Sequence, residues 1–293
     1  MSNTNNKNNI EIGGDPTYKK IRLIKDNIFL IIVGVLTLFA ILPLFHIIIS
    51  ILSKGLPVIM EKGMVFITGT LSEGGIGPAI VGTLMLTALA SLIGLPLAFL
   101  AGAYAYEFPH SFIGRTTKVL LQIMLEFPTI LVGTFVMAVM VFPMGHYSAL
   151  AGAIALAIIL TPYVAVYTEE AMAEIPRIYK EGAYALGCTR AQVIFKVITK
   201  MAKKGILTGM LIGMAKVAGE TAPLLFTAGG LYETYPSDPL QPVGAIPLLI
   251  YQLIQSPSLE DHKMAWGAAL IMLIIFLSIF VPIRYALKDD IKI

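Results

Sequence analysis

The chain has 293 residues, 57% of them hydrophobic and 13% charged, with a formal net charge of +3. A soluble domain carries about 25% charged residues, so this chain cannot hide its apolar surface in one water-facing globule, and lipid must be part of its solvent. The single cysteine, Cys188, excludes an intrachain disulfide, and histidines at 46, 110, 146 and 262 share no ligand spacing, which argues against a metal site.

Residues 1–27 are polar and rich in asparagine and read as a disordered cytoplasmic tail. Ile28–Leu52 is the first apolar run, long enough to cross roughly 30 Å of hydrocarbon and too long for a signal-peptide core. With the loop after it, it makes a first unit of residues 28–77. Further spans are predicted at Ala79–Tyr106, Val119–Phe142, Ala149–Tyr167, Gly205–Gly229 and Met264–Leu287, within a membrane core of residues 78–288. Prolines at 43, 96, 128, 162 and 223 fall inside these runs and predict kinks, which packed neighbours tolerate. The expected fold is therefore an all-α membrane protein with about six transmembrane helices.

Basic residues orient it. The tail 1–27 holds five Lys or Arg, loop 107–118 two, segment 168–204 seven and the C-terminus three, whereas the opposite loops hold only Lys54, Lys62 and Lys263. The positive-inside rule then places both termini in the cytoplasm of a multi-pass protein of the cell membrane. Residues 230–263 become external, punctuated by five prolines. Within them Ala245–Ile254 is apolar but too short to span, and predicts a surface or re-entrant helix.

The cytoplasmic segment 168–204 reads as two helices with a corner. Pro176 suits the first helical position. Ile178, Tyr179, Gly182, Ala183 and Leu186 share one face, and Gly187 can take the left-handed conformation that ends a helix. Thr189 with Gln192 three residues on forms a capping-box pattern. The second helix carries Val193, Ile194, Val197, Ile198 and Met201 on one stripe and Lys196, Lys200, Lys203 and Lys204 on the other, a pattern that suits an anionic membrane surface. Small residues on the first helix would let a partner's backbone approach; a solvated connector is the plainer alternative.

Three ionisable residues lie inside spans, where a charge costs at least about 2.5 kcal/mol near the centre: Glu126, Lys216 and Glu220. Lys216 is about 16 Å past the cytoplasmic start of its span. Glu220 is four residues on and can pair with it, Pro223 loosens the helix beyond, and Thr221 adds a hydroxyl. Glu126, beside Pro128 and Thr129, is the alternative partner for the lysine. Two readings stay open: a polar lining that attracts a passing anion, or a buried ion pair that only fixes helix register.

Glu181-Gly182-Ala183 followed after three residues by Gly187, within EIPRIYKEGAYALGCTRAQVIFKVITK, resembles the EAA loop of ABC importer permeases, by which these subunits dock on their ATPase. Gly182 stands where the first alanine is usual, and Thr199-Lys200 where Leu-Pro is usual. AKVAGETAPLLFTAGG, GGIGPAIVGTLMLT, LTPYVAVYTEEA and MAWGAAL are similar to stretches of the PstA family of phosphate permeases, over roughly residues 74–287. The resemblance implies a type I ABC importer permease fold and ATPase docking through Glu181, Gly182, Ala183 and Gly187; in such a permease the polar residues Lys216, Glu220, Thr221, Glu126 and Thr129 are the candidate translocation path. It further implies a PstC-like second permease, a PstB-like ATPase dimer and a PstS-like external phosphate-binding protein. The family usually carries arginine where Lys216 stands; lysine keeps the charge and loses the bidentate fork that fits phosphate oxygens.

No GxxxxGK[ST] loop occurs in the sequence, so ATP and magnesium are expected on the partner ATPase, with no cofactor and no catalysis in this chain. A permease for another oxyanion, such as molybdate or sulfate, is the nearest alternative. An ion-coupled secondary transporter would need no docking loop, and a membrane enzyme has no nucleophile or acid–base constellation to support it.

Overall fold

The structure is a computed structural model that describes the backbone of residues 16–289 and the side chains of 20–285. Among the described residues it consists of helices and turns, with an isolated β-bridge between Gly229 and Val243 and no strand. The first helix, α1, runs from Pro16 to Lys62, 47 residues. It thus begins inside the stretch expected as a tail; of that expectation, residues 1–15 lie outside the described part. The asparagine-rich composition ends at Asn9, and residues 17–27 hold Lys, Arg and Leu with no Gly or Pro, so nothing there opposes a helix. At 1.5 Å per residue α1 is about 70 Å long, more than twice the hydrocarbon thickness.

The chain divides into two compact units, residues 1–50 and 51–293. In the first, apolar side chains such as Leu36, Phe39 and Leu44 stand exposed. The second contains α2 (Met64–Thr68), α3 (Gly77–Glu107), α4 (Phe112–Leu125), α5 (Thr129–Met144), α6 (Ala149–Ala173), α7 (Arg177–Ala185), α8 (190–218), α9 (Ala222–Leu225), α10 (Ile246–Gln255) and α11 (Leu259–Asp289). Helices α3, α6 and α8 build its centre, with Leu86, Leu156, Leu160 and Val217 almost fully buried between them. Lipid is as apolar as leucine, so helices in a bilayer associate by close packing rather than by escaping water. Here α8 offers Gly205, Gly209 and Gly213 to α6: a β-carbon added at each would meet Ala171, Tyr167 and Val164 at 2.5, 2.3 and 2.6 Å.

Two predicted spans are corrected. Val119–Phe142 is not one helix: α4 and α5 meet at a bend of 103°. Pro128 lacks an N–H and disfavours a helical residue before it, so α4 stops at Leu125 and α5 restarts after an extended Pro128 (ψ 119°). The expected span 205–229 also ends early, at Ala218, and Gly219–Thr221 form a turn before the four-residue α9. Among the described residues four helices are long and apolar enough to cross a membrane (Lys20–Lys62, Gly77–Glu107, Ala149–Ala173 and Leu259–Tyr285), and the bent pair can make a fifth. The lysine-bearing α8 is less apolar than these.

The short apolar stretch within residues 230–263 is helical as predicted; the first turn of α10 is buried, while Tyr251 and Ile254 in its second half are exposed. Ile246, Leu248 and Leu249 pack beneath α3 and α11, and the Ile246 N–H donates to the Thr83 hydroxyl at 2.8 Å.

Candidate functional site

Lys216 sits in the last turn of α8 and Glu220 in the turn that follows. Their side chains pair at 2.7 Å across the helix end, between Lys216 Nζ and Glu220 Oε1. The other carboxylate oxygen accepts a hydrogen bond from Thr129 Oγ1 at 3.2 Å. Thr129 opens α5, so the bend before it is what carries a hydroxyl from a separate helix to this carboxylate. The Glu220 side chain is 8% exposed and the Lys216 side chain 43%. The carboxylate is therefore held by the protein, while the ammonium faces outward with N–H donors to spare beyond the one aimed at Glu220.

The structure brings together Lys216, Glu220 and Thr129, with Thr221 next to them in the chain. Glu126 stands apart: it caps the end of α4, its side chain is exposed, and the lysine's partner is Glu220. Residues of α4, α5 and α6 line an open, mostly apolar pocket of about 350 Å³, with Thr129 and Tyr163 among its lining residues.

The second candidate surface is α7. Pro176 is the residue just before this helix, one place earlier than predicted. Gly187 has φ +80°, as a left-handed helix end requires. Thr189 and Gln192 form the expected reciprocal cap, the Thr189 N–H donating to Gln192 Oε1 at 2.8 Å and the Gln192 N–H to Thr189 Oγ1 at 3.4 Å. On the outer side Ile178, Tyr179 and Leu186 are exposed, Leu186 by 86%. Glu181, Gly182 and Gly187 share that exposure, and a β-carbon at either glycine would meet nothing within 4 Å. Ala183 does not: it faces inward against Val193 and Ile194. Those two residues, with Ile198, are buried with Ala103 and Met172 of α3 and α6, so this part of the second helix's apolar stripe packs on the protein core, while Met201 stays exposed. Burying it there removes the same apolar area from water without lipid.

Sequence reasoning passed over Glu107, the last residue of α3. Its carboxylate receives Lys180 of α7 at 2.5 Å and Arg190 of α8 at 3.5 Å. Lys180 also lies over the Tyr106 ring and Arg190 over the Phe108 ring, each at 5.2 Å. The signal in the sequence was slight: a carboxylate between two aromatics at the end of an apolar run.

Residues 94–288 match the family described as binding-protein-dependent transport system inner membrane component. Among relatives, the probable phosphate transport system permease protein PstA of Methanocaldococcus jannaschii is 85% identical over 94% of this chain and 98% of its own length. The phosphate transport system permease protein PstA of Pasteurella multocida is 36% identical over 93% and 99%. Among solved structures, the inward-facing MetNI methionine ABC transporter aligns with TM-score 0.57 at 19% identity, over 73% of this chain and 94% of the other. An amino acid ABC transporter with histidines aligns with TM-score 0.55 at 20% identity, over 73% and 92%.

Proposed function

The chain belongs to the family of binding-protein-dependent transport system inner membrane components, and from that premise we propose that it is the transmembrane permease subunit of an ATP-binding-cassette importer that moves inorganic phosphate into the cytoplasm by alternating access. The observation that carries this is the near full-length 85% identity to a probable phosphate transport system permease protein, joined to a fold shared with ABC transporters. It is a transport component and a multi-pass membrane protein; hydrolysis of ATP belongs to a separate subunit, where ATP and magnesium bind.

In this reading the exposed side of α7, with Glu181, Gly182 and Gly187, receives the ATPase. Closure of a PstB-like ATPase pair then moves α7 and rearranges the helices around Lys216. A PstC-like permease completes the path, and a PstS-like protein delivers phosphate from outside. Both termini are cytoplasmic. Lys216 draws the dianion by charge, and Glu220 keeps it from being held too tightly, because a carboxylate already within reach of the ammonium competes for it. With lysine in place of a bidentate arginine, selection of phosphate over other oxyanions rests mainly with the external binding protein.

Reconstitution with these partners tests the proposal. ATP-dependent uptake of labelled phosphate is expected, at least tenfold above that of sulfate or molybdate. Uptake of one of those instead would reassign the substrate, and uptake driven by an ion gradient without ATPase would overturn the importer class.

A further inference from the structure

The ions around Glu107 belong neither to the path nor to the outward face of α7. A carboxylate at the last residue of α3 sits at the negative end of that helix's dipole, an unfavourable place unless cations compensate it. Two do, and they come from opposite sides of one corner. Lys180 lies in α7 before the Gly187 turn, and Arg190 lies in the first turn of α8 after it. The Glu107 side chain is 8% exposed, and each cation also rests on an aromatic ring of the same helix end, Tyr106 or Phe108. Thus Tyr106 and Glu107 at the end of α3, with Phe108 just after it, contact both arms of the corner, and displacement of the corner from α3 strains these ion pairs.

We infer that Glu107 is a latch which transmits movement of α7 to the membrane core, a positioning residue for transport that touches neither ATPase nor substrate. The inference rests on the permease reading. The latch adds something that the apolar contact beneath the corner cannot supply. Ala183, Val193 and Ile194 are buried by apolar contacts that are many, individually weak and undirected. A shared carboxylate is directional, and its strength falls as either nitrogen leaves. From α3 the displacement reaches α6, packed along its length, and through the glycine stripe it reaches α8, which carries Lys216.

The test uses vesicles holding the complete transporter, with Cys188→Ser and a reporter cysteine at the exposed Ile130, beside Thr129. The readout is the rate of labelling by a hydrophilic thiol reagent with and without ATP. The parent is expected to change rate at least fivefold on ATP addition. Glu107→Gln and Lys180→Met are expected to reduce that change below twofold while the ATPase still co-purifies, and Lys180→Arg to retain it. An undiminished ATP response in Glu107→Gln or Lys180→Met would overturn the latch, as would loss of the ATPase from both, which a purely supporting role predicts. Labelled phosphate uptake in the same vesicles is scored separately: an intact ATP response without uptake would count against phosphate as cargo and leave the latch standing.

Discussion

Gly133 of α5 and Pro223 of α9 touch backbone to backbone: a β-carbon at Gly133 would meet the proline Cα at 2.5 Å and its carbonyl oxygen at 2.9 Å. This contact presses the first turns of α5 onto the chain just past Glu220. Thr129 lies one turn before Gly133, and it therefore reaches the Glu220 carboxylate. The polar site depends on a residue that has no side chain.

Replacing Gly133 by valine should separate α5 from the 220–223 turn. Overpacking a tight site costs about 1–3 kcal/mol, and here backbone rather than a flexible side chain would have to yield. The expected outcome is a lower thermal midpoint in detergent together with phosphate uptake reduced at least tenfold at matched membrane abundance. Gly133→Ala should show a smaller loss of both. Wild-type uptake by the valine variant would mean that this contact does not hold the site.

Orientation can be read by cysteine labelling in the Cys188→Ser background. Ser237 and Lys196 are both exposed and lie in segments assigned to opposite sides. A reagent that cannot cross the membrane should modify a cysteine placed at Ser237 from outside and spare one placed at Lys196. The reverse pattern would invert the orientation drawn from the lysines and arginines.

At the ATPase-docking surface, Gly182 gives a cleaner test than Gly187. At φ +80° any side chain on Gly187 strains the backbone, so loss of function there would have two causes. Gly182 is helical and faces open space. Gly182→Trp should leave expression and thermal stability within about 0.5 kcal/mol, as for other surface substitutions, while ATPase co-purification falls at least tenfold. Retained association would place the docking surface elsewhere.

How much of this was legible in the sequence follows from the range of the interactions. Local chemistry was readable: the Thr189–Gln192 cap, the left-handed Gly187 and the Lys216–Glu220 pair all lie within four residues. Pro128 marked a kink between α4 and α5, but not a bend of 103°, because hydropathy does not register how far the chain turns. The burial of the Val193–Ile198 stripe was hidden too, since an amphipathic helix looks the same whether lipid or protein covers it. Glu107 was silent because Lys180 is 73 residues away and nothing in either neighbourhood names the other. The Gly205, Gly209, Gly213 spacing was visible, but only the structure shows that α6 is what it packs against.

The pair at the path separates two mechanisms. If Lys216 attracts the dianion, Lys216→Gln should lower phosphate uptake at least tenfold, and Lys216→Arg should keep much of it, since the charge remains and only the hydrogen-bond geometry changes. If the pair only fixes helix register, the harm in Lys216→Gln comes from a buried, uncompensated Glu220. The geometry already limits that second account. Glu220 has a second partner in Thr129, and Lys216 is nearly half exposed, so the pair is partly screened by whatever fills the path. The double variant Lys216→Gln with Glu220→Gln decides. It removes both charges while leaving an amide that can still accept from Thr129, so a scaffold role predicts rescue towards wild-type uptake at matched abundance. A path role predicts that the double variant stays as impaired as Lys216→Gln, because no cation remains to meet the anion. Rescue would reduce Lys216 to scaffolding and move the search for the phosphate-attracting charge to the second permease.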